Sequence, residues 1–302
     1  MKAANKSANR EYAAVEHSGA RTLSIDIGGT GLKASVLDGA GRMLVARVRV
    51  PTPDPCPPAV LLRALASLLA PLPSFDRISI GFPGVIRHGH VITAPHFDAK
   101  AWQDYPLETA VSRRFGKPAR LLNDAEVPGL GIIAERGLEV VLTLGTGVGS
   151  AVFWNGRLAP HLELAHHPIG KRKTYNDYIG NEARQAVGAK KWSRRVSKAI
   201  DIVYSLLHYD VLYLGGGNAV HFVLPLPDNV RIASNDAGIT GGIHLWDEDV
   251  WQGIRDSHRP HNRKRGSAIR PARRGAVLSL RSNLAGGAPG QRLTAARRGS
   301  RS

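Results

Sequence analysis

Short apolar runs and alternating apolar and polar positions recur between Arg21 and Trp251, and these patterns predict β-strands. Most of the segments end at glycine-rich or proline-rich stretches, which favour turns. The first three predicted strands follow one another closely, so the chain begins as a meander. The predicted strands are Thr22–Ile27, Leu32–Asp38, Met43–Val50, Arg77–Gly81, Val91–Thr93, Ala119–Leu122, Leu138–Leu144, Ser150–Trp154 and Val211–Leu214.

Apolar residues recur at helical spacing between these strands, which predicts amphipathic helices. A final helix is predicted to carry Ile239, Ile243 and Leu245. The other predicted helices are Ala59–Ala70, Leu107–Phe115, Ala125–Glu135, Asn176–Val187 and Trp192–Leu207.

One arrangement occurs twice: a strand, a glycine-rich turn and a second strand. The second copy follows the first by about 115 residues, counted from Gly28 to Gly145. Such repetition predicts two related halves that face each other, in an α/β fold. The expected divisions are a disordered leader over 1–20, α/β domains over 21–122 and 123–251, and a basic disordered tail over 252–302.

The net charge is +17, from 41 Lys and Arg against 24 Asp and Glu, and it is unevenly distributed. Thirteen basic residues and one acid fall in 252–302, which gives this segment a net charge of +12. A second concentration, the basic belt Lys171–Lys198, has nine basic and two acidic residues, a net charge of +7. The belt suits either a solvated helix face or a surface for a polyanionic phosphate donor. Specific nucleic-acid binding is not expected, since charge alone supports only salt-sensitive, non-specific contacts.

Composition excludes several classes of protein. The single cysteine, Cys56, excludes a disulfide framework and any Cys-based zinc module. No apolar run approaches the ~20 residues that span a bilayer, and the polar N-terminal stretch lacks the apolar core of a signal peptide. We therefore expect a cytoplasmic protein without a membrane partner.

The two glycine-rich turns carry groups that bind phosphate. The first turn lies within Asp26–Lys33, where backbone N–H groups, the Thr30 hydroxyl and the Lys33 ammonium can approach phosphate oxygens. Asp26 can hold Mg²⁺ through water. The second turn, Gly145–Gly149, offers the same backbone chemistry. A plain β-hairpin turn is the alternative for each, and neither fits the Walker or dinucleotide pattern, which needs a helix directly after the glycines.

Asn123 and Asp124 end a predicted strand between the two turns. A carboxylate there can accept the proton of a substrate hydroxyl, and the Asn123 amide can hold a sugar hydroxyl. Capping of the following helix is the alternative. Further along, Glu163 and His166 can present two hydrogen-bonding groups to a polyol, unless they belong to a solvated loop or bind a metal. Gly215–Gly217 can admit a flat base or simply form a strand-to-helix turn.

Together these motifs, in this order from about Arg21 to Trp246, resemble the ROK family of sugar kinases. The segments Gly29–Lys33 and Ile80–Val85 are similar to its polyphosphate-dependent glucokinase branch. The resemblance implies the two-domain actin-like ATPase (ribonuclease H-like) fold with a cleft between domains. It also implies transfer of a phosphoryl group from polyphosphate or ATP to the 6-hydroxyl of glucose or a similar hexose, with Mg²⁺, and often a homodimer.

The resemblance implies roles for individual residues. Asp124 would be the general base, and Asp26 would lie near Mg²⁺. Sugar hydroxyls would be held by Asn123, Glu163, His166, Gly84 and His96. The phosphate donor would be bound by Asp26, Gly28, Gly29, Thr30, Lys33, Gly145, Thr146 and Gly147, with Gly216 and Gly217 where a nucleotide base would lie.

The sequence departs from the family pattern at three points. Ala165 replaces a glycine, and His96 replaces a sugar-contacting Asn. A Cys-rich zinc loop is also absent after Pro168. Structural zinc is therefore not expected. ROK-type regulators share the sugar-binding motifs, so a sugar-binding regulatory protein without kinase activity is the alternative function. Such regulators place a helix-turn-helix module before the first glycine motif, and the 25 residues before Asp26 are too few for one.

Overall fold

The computed structural model describes residues 19–257 except 171 and 235, and it describes the backbone alone at 252 and 255–257. Nearly all of the expected leader, and the expected tail beyond Ser257, lie outside the described residues. Within the described part of the chain, no helix combines the length and apolar character needed to cross a bilayer.

The first half of the chain is built on a five-stranded sheet. Its strands and helices are β1 Thr22–Ile27, β2 Gly31–Leu37, β3 Val48–Pro51, α1 Pro58–Leu69, β4 Arg77–Phe82, β5 Ile86–Arg87, β6 His90–Val91, α2 Ala99–Trp102, α3 Leu107–Phe115 and β7 Ala119–Asn123. The sheet order is β3-β2-β1-β4-β7, in which β1, β4 and β7 are parallel and β2 is antiparallel to both neighbours. Apolar residues of α1 and α3, among them Leu61, Leu65 and Val111, are buried in one core with the inner strands.

The second half repeats this plan. Its elements are α4 Glu126–Leu130, β8 Leu138–Leu144, β9 Val148–Trp154, β10 Arg157–Leu158, β11 Pro168–Gly170, β12 Lys173–Thr174, α5 Tyr175–Ile179, α6 Asn181–Val187, α7 Ala189–Leu207, β13 Val211–Gly215 and β14 Val230–Ile232. The sheet order is β10-β9-β8-β13-β14, again with three parallel strands and an antiparallel pair at one edge. Trp192 and Val196 of α7 are buried in its core.

The two sheets have the same strand order and the same strand directions, which confirms the predicted repeat and the α/β class. In each sheet a glycine turn joins the first strand to its antiparallel neighbour, β1 to β2 and β8 to β9. Both turns therefore lie at the carboxyl end of a first strand, beside the parallel strands.

The end of the described chain returns to the first sheet. It comprises α8 Ala237–Thr240, a 3₁₀ helix Gly241–Trp246 and α9 Glu248–Ser257. The Ser79 hydroxyl on β4 donates to the Gly242 carbonyl at 2.6 Å and accepts from the Trp246 indole at 2.9 Å. The segment from Ala237 to Trp246, the return segment below, thus covers a sheet formed from residues far earlier in the chain.

Several predicted boundaries were wrong. The strand predicted from Met43 begins only at Val48, and Met43 itself forms one isolated bridge to Leu37. The final helix, predicted through Ile239, Ile243 and Leu245, is α8 followed by a 3₁₀ helix. Helix α9 continues past Trp251, the last residue before the expected tail, as far as Ser257.

Two predicted helices are shortened or divided where another part of the backbone comes close. The helix expected over Ala125–Glu135 spans only Glu126–Leu130, and a Cβ on the next residue, Gly131, would lie 2.9 Å from Gly241 Cα. The helix expected over Asn176–Val187 is divided at Gly180, which is extended and lies close to the Thr146 carbonyl. Both glycines permit contacts that a side chain would prevent.

Candidate active site

A cavity of about 360 Å³ opens between the glycine turns of the two sheets. Its wall contains every residue predicted for the site except His166. The predicted residues that line it are Asp26, Gly28, Gly29, Thr30, Lys33, Gly84, His96, Asn123, Asp124, Gly145, Thr146, Gly147, Glu163, Gly216 and Gly217. The fold therefore brings together residues that span almost 200 positions of the sequence.

The first glycine turn is held by its own backbone and by an ion pair. The N–H of Gly28 donates to the Gly31 carbonyl at 3.0 Å, and the Thr52 hydroxyl donates to the Gly28 carbonyl at 2.7 Å. Lys33 and Asp26 face each other across β1 and β2, and the Lys33 Nζ lies 2.7 Å from Asp26 Oδ2. The turn thus presents a cation and an anion at one end of the cavity.

The second turn is held by neutral groups. The Gly145 N–H donates to the Gly147 carbonyl at 2.9 Å, and the Asn218 amide donates to the Gly145 carbonyl at 2.9 Å. The Asn176 side chain accepts from the Val148 N–H at 2.7 Å. Neither asparagine was predicted from the sequence.

The two turns touch each other directly. The hydroxyl oxygens of Thr30 and Thr146 lie 3.3 Å apart, within hydrogen-bonding distance. His96 lies beside both turns, since a Cβ on Gly29 would be 3.2 Å from its ring and a Cβ on Gly147 would be 3.1 Å from its Nε2. The residue that replaces an expected sugar-contacting Asn is therefore placed against both predicted phosphate turns.

Asn123 is the last residue of β7, and Asp124 follows it. The Asn123 amide donates to the Gly84 carbonyl at 3.0 Å, and its side-chain oxygen accepts from the Ala125 N–H at 2.8 Å. Both polar ends of this amide contact the backbone, so Asn123 fixes the turn that presents Asp124. The Asp124 side chain lines the cavity.

A buried ion pair next to Asp124 was missed by sequence reasoning. His161 Nδ1 lies 2.8 Å from Glu126 Oε1, and both side chains are 7 % exposed. The second Glu126 oxygen accepts from the Asn123 N–H at 3.0 Å, and His161 Nε2 lies 3.5 Å from Glu163 Oε2. Neither Glu126 nor His161 belongs to a motif recognised in the sequence; their only signal is proximity to Asn123 and Glu163 along the chain.

Burial and these charges together determine the protonation of the site. Burial raises the pKa of Asp124 to about 7, and the carboxylates of Asp26, Glu163 and Glu126 add to this rise, while His161 opposes it. Burial alone would lower the pKa of His161, but its hydrogen bonds to Glu126 and Glu163 raise it to about 9. Burial of Glu163 is likewise outweighed by His161, which holds the pKa of that carboxyl below its ordinary value. At neutral pH, Asp124 is thus a carboxyl group poised to take up or release a proton.

Glu163 is also fixed from the other side. One of its oxygens accepts from the Ala165 N–H at 2.9 Å. Ala165 does not take a positive φ, so the residue that replaces the family's glycine fits without backbone strain. His166 is exposed and is absent from the cavity wall, so its expected contact with sugar stays a prediction.

The basic belt does not reach this cavity. None of its basic residues within the described chain lines the wall, and Lys190, Lys191 and Arg194 on α7 are exposed. Lysine and arginine from elsewhere in the described chain line it instead: Lys33, which was predicted, and Arg47 and Arg49, which were not. No group of three or more His, Cys, Asp or Glu side chains suited to a metal occurs among the described residues.

The chain is similar to known sugar kinases. The ROK family model matches residues 22–166. A polyphosphate glucokinase of Mycobacterium tuberculosis (strain CDC 1551 / Oshkosh) is 30% identical over 242 residues, which cover 72% of this chain and 88% of the relative.

Solved structures are similar over nearly their whole length. The inorganic polyphosphate/ATP-glucomannokinase from Arthrobacter sp. strain KM has a TM-score of 0.69 and 31% identity, covering 74% of this chain and 97% of that one. A ROK family glucokinase from Streptomyces griseus, solved with glucose and AMPPNP, has a TM-score of 0.64 and 19% identity, covering 74% of this chain and 98% of that one. The similarity in fold to these structures therefore covers the arrangement of the two sheets around a cleft as well as their strand order.

Proposed function

Since the chain belongs to the ROK family, we propose that it is a glucokinase, which transfers a phosphoryl group from polyphosphate or ATP to the 6-hydroxyl of glucose. The observation that carries the proposal is Asp124, a carboxyl with a pKa of about 7 in the cavity where both glycine turns meet. A general base works best with a pKa near the operating pH. Asp124 and the two turns would thus act as base and phosphate cradle in one site.

In this reaction the sugar 6-hydroxyl oxygen attacks the terminal phosphorus of the donor, and the bond from that phosphorus to the donor's bridging oxygen breaks. Asp124 accepts the hydroxyl proton. Glu163, fixed by His161 and the Ala165 N–H, is suited to accept hydrogen bonds from other sugar hydroxyls. Asn123, whose side chain holds the backbone on either side, orients Asp124 and retains one amide hydrogen for the sugar.

The two glycine turns would hold the donor phosphates through backbone N–H groups, with the Thr30 and Thr146 hydroxyls between them. Lys33 places its ammonium beside the first turn, where charge develops on the transferred group. Closure of the cleft would exclude water, which would otherwise accept the phosphoryl group.

Mg²⁺ fits the first turn. Asp26, Asp124 and Glu163 line one cavity, and their mutual repulsion helps raise the pKa of Asp124, so a cation there would be stabilised. Asp26 would hold the ion through water, and donor oxygens would complete the shell, since Mg²⁺ keeps several waters and uses few protein ligands. When bound, Mg²⁺ neutralises charge on the donor phosphates.

The test is phosphorylation of glucose with long-chain polyphosphate and with ATP, in the presence of Mg²⁺. The wild type should produce glucose 6-phosphate, and Asp124→Asn should lower kcat by about 10²- to 10⁴-fold. Asp104→Asn, which changes an acid whose side chain is 78% exposed, is the matched control and should keep full activity. A wild type inert with both donors would favour the regulatory alternative, and an active Asp124→Asn would remove Asp124 from the mechanism.

A cytoplasmic location, a homodimer and the division into domains at 122 and 123 stay predictions. Phosphorylation of free glucose by a nucleotide or polyphosphate donor suits the cytoplasm, where such donors are found.

A further inference from the structure

A row of charged side chains crosses the first sheet at one register. Asp26 on β1 is paired with Lys33 on β2, and Lys33 is paired with Arg49 on β3. Directly opposed residues project from the same face of a sheet, about 4.5–5.5 Å apart. Arg47 lies two residues before Arg49, and all four residues line the cavity. The row therefore leads from the first glycine turn to the edge of the sheet.

The cations in this row are incompletely neutralised. Lys33 is paired with Asp26 at 2.7 Å, and Arg47 lies 3.8 Å from Asp236, whose side chain is 60% exposed. The Arg49 side chain makes no ion pair or hydrogen bond with any residue the structure describes, and its Nε would lie 2.9 Å from a Cβ on Gly31. Like charges directly opposed across two strands destabilise a sheet. An anion bound between Lys33 and Arg49 would therefore relieve their repulsion.

The position of the row favours an extended anion. Strand β3 is the edge of its sheet, so a long chain bound beside it can continue into solvent. Arg47 immediately precedes β3, and an extended chain places it roughly 6–7 Å from Arg49. Gly216 and Gly217, where the family resemblance puts a nucleotide base, instead follow β13 of the second sheet, so a nucleoside and a long phosphate chain would leave the cavity by different routes.

We propose that Lys33, Arg49 and Arg47 form a track for linear polyphosphate, which runs from the first glycine turn outward along β3. Lys33 contacts the phosphates next to the transferred one, and the two arginines contact phosphates further along the chain. Arginine presents a planar fork of donors that suits two phosphate oxygens at once. The inference rests on the proposed kinase function and names the donor class that this chain is built to take. The basic belt, which the charge distribution pointed to, is the rival location.

The test compares kcat/KM for long-chain polyphosphate, tripolyphosphate and ATP at saturating glucose. Arg47→Gln/Arg49→Gln should lower kcat/KM for long-chain polyphosphate at least tenfold, with a smaller loss for tripolyphosphate and less than threefold for ATP. Arg47→Lys/Arg49→Lys should recover part of the loss, because it keeps the charge but not the fork. The kcat/KM for long-chain polyphosphate should also fall with added salt more steeply in the wild type than in the Arg47→Gln/Arg49→Gln variant.

Arg63→Gln/Arg113→Gln removes two exposed arginines from α1 and α3 and serves as the charge-matched control, with all three donors unaffected. Lys190→Gln/Arg194→Gln tests the rival belt. Equal losses for polyphosphate and ATP in the Arg47/Arg49 variant would overturn the track, and so would a polyphosphate loss confined to the belt variant. A wild type active with ATP alone refutes the track and leaves the kinase intact, whereas a wild type inert with every donor refutes the kinase itself. Thermal unfolding of each variant confirms that it is folded before its kinetics are compared.

Discussion

The two glycine turns share a backbone arrangement and differ in the side chains beside it. In each, the N–H of the first glycine donates to a carbonyl at the far side of the turn, Gly31 in one and Gly147 in the other. Two residues before that glycine stand Asp26 in the first turn and Thr143 in the second. Across the strand pair, Asp26 faces Lys33, whereas Thr143 faces Gly149.

The difference indicates that the fold repeats the backbone of the glycine turn but not its charges. Backbone N–H groups can orient phosphate oxygens in both halves. At the turns themselves, the Asp26–Lys33 ion pair belongs to the first turn, and Asp26 also contributes to the raised pKa of Asp124. We infer that the first turn governs charge and protonation during transfer, while the second mainly positions the donor.

The largest expected effect comes from substituting Asp26, with a substitution of Thr143, at the corresponding position of the second turn, as the comparison. Asp26→Asn should lower kcat/KM for glucose by about 100-fold, because it removes the carboxylate suited to Mg²⁺ and leaves Lys33 without its partner. Thr143→Val should cost less than about threefold, since the second turn relies on backbone donors. Steady-state kinetics at fixed Mg²⁺ would measure both, and similar losses in the two variants would contradict the division between the turns.

The next effect concerns pH. A general base acts only when deprotonated, so kcat/KM should rise with pH through about 7, the pKa of Asp124. His161→Gln removes a cation that lowers this pKa, and the rising limb should move to higher pH. Asp26→Asn removes an anion that raises it, and the limb should move to lower pH.

Shifts of about one pH unit correspond to tenfold changes in rate on the rising limb. Thr143→Val carries no charge change and should leave the limb in place. Profiles of kcat/KM between pH 5 and 9 would measure the three variants, and a limb that stays fixed in His161→Gln and Asp26→Asn would show that Asp124 does not set it.

The smallest effect tests the contact between the turns. We expect Thr30→Val and Thr146→Val each to lower kcat/KM a few fold. Each variant removes the same contact, between the two hydroxyl oxygens that lie 3.3 Å apart. The double variant should lose little more than either single one, since interacting residues are not additive. Losses that multiply would mean that each hydroxyl acts on the donor independently.

Local patterns were enough to predict the parts of the site that lie within single segments. The strand, glycine turn and strand units are continuous in sequence, so β1, β2, β8 and β9 were predicted with their turns. The same holds for Asn123 and Asp124 at the end of β7. Apart from His166, each predicted site residue lines the cavity, and many of them lie at these strand ends.

What the sequence did not reveal depends on residues that meet only after folding. Glu126 and His161 are 35 positions apart and form an ion pair through tertiary structure alone. Arg47 and Arg49 belong to a short edge strand, and their charges were less conspicuous than those of the basic belt. At Gly131 and Gly180, where the predicted helices end or divide, backbone from distant segments comes close, and helical periodicity carries no information about such contacts.

The return segment has a consequence for the order in which the protein can be completed during synthesis. Ser79 is made 163 residues before Gly242, the residue whose carbonyl it contacts. At about 5–20 residues per second, a ribosome needs roughly 8–30 s to make the intervening chain. The first sheet must wait that long with the face between β1 and β4 uncovered, so a nascent chain stalled before Ala237 would offer chaperones and proteases a surface that the finished enzyme hides.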